Sequence, residues 1–153
     1  MTRTIHPIAG GVALLMIVTF WLSTAVAEVF ADIDTVVTVK TLIPWGFVIL
    51  IPALATVGGS GFKLGKKYRG PLVETKKKRM PFIAANGILI LIPSALFLSF
   101  KAQAGAFDQW FYIVQGLELI AGAVNISLLG LNMRDGLRLK GKLRKAVAPA
   151  NRP

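Results

Sequence analysis

Charge is missing from four long stretches of this chain. Residues 7–27, 41–62, 80–100 and 109–133 hold 21, 22, 21 and 25 residues and contain one charged side chain between them, Glu118. Each exceeds the 18 or so apolar residues that suggest a membrane-spanning helix. At 1.5 Å rise per residue, about 21 residues reach about 31 Å, the thickness of a bilayer's hydrocarbon core. Peptide groups in that core find no water, so spans of this length must be helical; a barrel would need short alternating strands, and these runs do not alternate. The expected fold is an all-α integral membrane protein, a four-helix bundle running up-down-up-down. Its spans fall at about 7–30, 41–62, 80–101 and 109–133, as one domain over 1–133 with a basic tail over 134–153.

Composition supports the same class. Of 153 residues, 54% are hydrophobic and 16% charged, where a soluble domain carries roughly 25% charged residues. A net charge of +11 with a mean hydropathy of +0.64 excludes a disordered basic tail and a soluble nucleic-acid-binding module. The absence of cysteine removes disulfide scaffolds, iron–sulfur clusters and thiolate metal sites, and a single histidine removes most metalloenzyme constellations.

Local signals set the helix ends. Pro7 and Pro81 suit first-turn positions, Thr41 with Pro44 suits the start of the second helix, and Asp108 suits an N-cap for the fourth. Pro52 and Pro93 fall inside spans, where kinks are expected. An N-terminal basic residue, an apolar run and Ala25-Val26-Ala27 also outline a secretory signal peptide. An apolar core of about 20 residues, against the 7 to 15 of a signal peptide, and the bulky Trp21 favour a retained span.

Basic residues give the orientation. Sixteen of the eighteen lie at Arg3, in the 63–79 connection or in the tail, which puts both termini and the middle connection in the cytoplasm of a bacterial inner-membrane type of cell membrane. Trp21, Trp45 and Trp110 are expected in an interfacial aromatic belt on the outer side. The connection carries Lys63, Lys66, Lys67, Arg69, Lys76, Lys77, Lys78 and Arg79 against Glu74, a pattern for anionic lipid headgroups at about 1 kcal/mol each. Its Gly65-Lys66-Lys67 lacks the spacing and the Ser or Thr of a phosphate loop, and nothing marks a nucleic-acid partner.

Glu118 lies nine residues into the fourth stretch, about 14 Å along a helix and near the bilayer midplane. Gln115, Glu118, Gly122, Asn125 and Leu129 follow three-and-four spacing and share a face. Thr19, Ser23, Thr24, Asn86 and Ser94 are candidate partners, with Asn86 completing the polar site. No lysine or arginine lies within the four stretches, so the expected carboxyl is neutral, either interhelical hydrogen-bond glue or a proton or substrate site. Glu28, Asp32 and Asp34 read as a solvated acidic rim facing Lys40.

These features favour a non-enzymatic protein without a cofactor. It would be an accessory subunit or a proton- or small-solute-linked transport component, with a homo-oligomer or a larger membrane complex around it. The alternative is a haem b electron-transfer protein. His6 would be an axial ligand, and Met80 and Met133 lie at a similar depth, but the chain lacks the several buried histidines of membrane b-type cytochromes.

Overall fold

The computed structural model describes residues 2–67 and 70–147. The chain folds into helices α1 (Thr2–Phe30), α2 (Ile33–Lys67), α3 (Pro71–Asn86), α4 (Ile92–Gln103) and α5 (Gln109–Val147), with a π-helical turn at Gly87–Leu91 joining α3 to α4. That turn makes α3 and α4 one rod, so four long apolar helices pack as an up-down bundle. All four are long and apolar enough to cross a membrane. Large apolar side chains such as Val29, Ile49, Phe82, Leu89 and Ile120 cover the outside, as contact with lipid requires.

The helices outrun the charge-free stretches, because a charge at a boundary does not end a helix. Asp32, rather than Thr41, caps α2: its Oδ1 accepts from the Thr35 N–H at 2.9 Å and its carbonyl from the Val36 N–H at 3.1 Å. This earlier start places Lys40 inside α2. Pro7 and Pro81 are likewise interior, and the third rod starts at Pro71, after Gly70 with φ 143°. Asp108 does cap α5, accepting from the Phe111 N–H at 3.0 Å, and α5 continues without a break into the basic tail as far as Val147.

α2 runs unbroken through Pro44 and Pro52. Near Pro93 the rod instead widens, and the Ile92 N–H donates to the Gly87 carbonyl, five residues back. Proline lacks the N–H for the normal bond to the carbonyl four residues before it, and the π-turn absorbs that mismatch.

Two apolar clusters hold the bundle. Ala13, Ile17, Leu50, Ile83 and Leu129 form one, with Phe20 and Phe47 against it; Ala27, Val36, Leu98, Ala102 and Phe111 form the other. Glycine brings helices close where large side chains meet them. A Cβ at Gly46 would lie 2.2 Å from Phe20 Cζ, and one at Gly122 would lie 2.7 Å from Trp21 Cδ1. Lipid is as apolar as leucine, so such close packing, rather than hydrophobic exclusion, holds spans together.

Candidate functional site

α5 supplies the polar stripe. Its consecutive turns carry Gln115, Glu118, Gly122 and Asn125 toward the other helices, with Gln115 and Asn125 buried. Glu118 does not stand alone. Lys40 Nζ donates to Glu118 Oε2 at 2.9 Å, with the lysine side chain 1% exposed and the glutamate 13%. The expectation of a carboxyl without a basic partner is thus overturned, because α2 begins eight residues earlier than the apolar stretch and carries Lys40 into the bundle. The signal for it was present in Asp32 and Thr35, an N-cap pair whose cap lies eight residues, about two turns, before the lysine.

Glu28, two residues from the end of α1, lies within electrostatic range of both Lys40 and Glu118. Its Oε1 is buried and makes no hydrogen bond among the described residues. It is therefore a half-buried third member beside Lys40 and Glu118 rather than part of a fully solvated rim. Two carboxylates within electrostatic range of one ammonium leave the cluster one positive charge short when all three are ionised. Asp32 and Asp34 remain exposed, and hydrogen bonds from Thr35 hold the Asp32 carboxyl below its usual range.

Glu118, Asn125 and Thr24 line a cavity of about 70 Å³ whose other walls are apolar and aromatic, from α1, α2, the π-turn, α4 and α5. Asn125 is 1% exposed, and its Oδ1 has no hydrogen-bond partner among the described residues; neither amide atom of Gln115 has one. A buried acceptor left so costs about 1–3 kcal/mol. Thr24 is buried on the cavity wall, whereas Thr19 and Ser23 bond the carbonyls of their own helix, at Leu15 and Phe20. Ser94 is buried in α4.

Two side chains dock on the α5 backbone beside Glu118. The Trp21 indole N–H donates to the Leu119 carbonyl at 2.8 Å, and Asn86 Nδ2 donates to the Ala121 carbonyl at 2.8 Å. Asn86 thus meets the stripe through its backbone and not through the carboxyl. Trp21 leaves the expected aromatic belt for the interior, because its ring fits the notch at Gly122; Trp45 and Trp110 face outward.

At the other end of the bundle, His6 Nδ1 is 2.8 Å from Ser60 Oγ, and His6 and Met80 both pack on Gly61. Met133 is exposed on the outside and does not join them. Arg79 donates to Asp135 Oδ2 at 2.7 Å, Arg134 approaches the same carboxylate at 3.4 Å, and Lys76 Nζ lies beside Gly136. Asp135, buried and missed in the sequence, anchors one of the expected headgroup-binding residues to α5. Lys63, Lys77 and Lys78 are exposed, whereas Arg69 and the side chains of Lys66 and Lys67 lie outside the described residues.

Among the described residues no three His, Asp or Glu side chains gather as metal ligands. Comparison with known proteins finds no family, no curated protein and no solved structure that matches this chain.

Proposed function

We propose that this chain is a proton-linked transport component of a bacterial-type inner membrane, with both termini cytoplasmic and Glu118 as the proton carrier. The Lys40–Glu118 ion pair, whose carboxylate lines the cavity, carries this reading. Burying two ions costs several kcal/mol each, and replacing such a pair by apolar residues is often neutral or stabilising, so a pair at membrane depth is poorly explained by stability. Ionisable groups inside spans pair with one another along proton and ion pathways.

The cluster's charge suggests how the proton acts. When Glu118 takes a proton, Lys40 loses its partner there and turns to Glu28, whose buried Oε1 lacks a donor. The cluster then holds one ammonium and one carboxylate and is neutral. When Glu118 releases the proton, Lys40 returns. Protonation thereby changes which helix α2 is tied to, α5 or α1. Four helices form a narrow bundle, so a homo-oligomer or a larger membrane complex completes the pathway. The exposed Lys63, Lys77 and Lys78 hold the cytoplasmic end against anionic headgroups.

The test is voltage-driven proton uptake by liposomes containing the purified chain and an entrapped pH indicator. Glu118→Gln should abolish uptake while the protein stays folded. Uptake equal to wild type would refute the reading. Accessibility labelling of single cysteines introduced at Thr2 and Ala106 tests the orientation, with Thr2 expected to be reached from the cytoplasmic side and Ala106 from the outer side.

A further inference from the structure

We propose that the cavity beside Glu118 binds a small alkylammonium ion, which supplies the positive charge the buried cluster lacks. This inference rests on the reading above and names the substrate class of the same site.

The cavity's walls select among cations. Phe20, Trp21 and Phe47 contribute aromatic side chains, while Glu118, Asn125 and Thr24 contribute oxygen atoms. Hard metal ions need six or more oxygen ligands, which this lining does not offer. Aromatic faces with a carboxylate suit an organic ammonium, which ring quadrupoles attract and whose N–H groups need acceptors. Asn125 Oδ1 is such an acceptor, buried and without a donor among the described residues. Lys40 occupies only Oε2 of Glu118, whose side chain is 13% exposed and which lines the cavity.

Size narrows the class. At about 70 Å³ the space is less than half of the roughly 150 Å³ engineered cavity that takes benzene. The occupant therefore carries a short alkyl group rather than an aromatic ring or a long chain. Its ammonium faces Glu118 and Asn125, and its carbons lie against Ile17 and Leu50. Occupation and protonation of Glu118 become alternatives, since either one balances the cluster's charge, so the ion and the proton exchange.

Propylammonium and its neutral counterpart 1-propanol are the probes, read by tryptophan emission of the full chain in lipid nanodiscs. Trp45→Phe and Trp110→Phe, both at outward-facing positions, leave Trp21 as the reporter on the cavity wall. The expected result is a saturable change with propylammonium, at least about tenfold weaker with 1-propanol and about tenfold weaker in Glu118→Gln, the loss of one charge-assisted contact. Equal response to propanol, equal affinity in Glu118→Gln, or no saturable response overturns the proposal. The wild-type comparison of the two probes needs no folded Glu118 variant. Glu118-dependent proton uptake without propylammonium binding overturns this inference alone. Propylammonium binding without proton uptake overturns the proton reading alone.

Discussion

Adding one methyl group at Gly122 should loosen the bundle, although alanine is the better helix former. A Cβ there would lie 2.7 Å from Trp21 Cδ1 and 3.4 Å from its Nε1, so the indole must move. The ring is held by a 2.8 Å bond from its N–H to the Leu119 carbonyl, one turn away on the same helix, and a shift large enough to relieve the clash breaks that bond. Overpacking costs about 1–3 kcal/mol and a buried N–H left unpaired about 1–3 kcal/mol. Replacing glycine by alanine within a helix returns about 1 kcal/mol. The net expectation for Gly122→Ala is a loss of about 1–5 kcal/mol. Gly116→Ala is the internal control: it lies on the same helix with nothing within 4 Å of the added atom, and it should be neutral or stabilising. Thermal unfolding in one detergent, followed by circular dichroism, compares the two directly. Trp21→Leu removes the obstacle, so Gly122→Ala in that background should cost markedly less than in wild type. Equal stability of Gly122→Ala and Gly116→Ala would refute the reasoning, because it would show that Trp21 does not occupy the notch.

Lys40→Met leaves Glu118 buried without its partner and should cost about 3–5 kcal/mol, whereas Lys40→Met with Glu118→Leu should recover most of the loss; urea or heat unfolding in detergent checks both. Asp108 is expected to titrate below an ordinary aspartate, first because Lys101 donates to it and then because the Phe111 N–H does, and carbon NMR of the labelled carboxyl measures this. A depressed folded value means that the contribution of Asp108 to stability is complete above the ordinary carboxylate range and is lost as the pH falls through the folded value. Asp108→Asn should flatten that part of the pH–stability profile.

The four-helix architecture was legible because a bilayer leaves a chain few choices: a long run without charge must be a helix there, and each of the four runs is long enough for one crossing. The facing of Glu118, Gln115 and Asn125 followed from helical period for the same reason. What stayed hidden were the pairings. Lys40 sits at the edge of its apolar stretch and looks like a boundary charge until the Asp32 cap sets the start of α2. Trp21 satisfies the rule for an interfacial belt, and only the notch at Gly122, 101 residues away in sequence, draws it inward. Asp135 reads as one acid in a basic tail, and its burial depends on Arg79 arriving from another helix. Each depends on contacts between helices, which periodicity within one helix does not encode.

The π-turn at Gly87–Leu91 also fixes the phase of everything after it. Successive residues of an α-helix advance by about 100°, so one surplus residue in a straight rod would turn the whole following half by that angle. Closing the bond from Ile92 to Gly87 across five residues instead of four takes up the surplus locally. Asn86 before the turn and Ala95 after it can then both address α5 and the cavity from one rod. The turn therefore acts as a phase corrector. Without it, Leu98 and Ala102, which now close the cluster around Phe111, would swing off that cluster together.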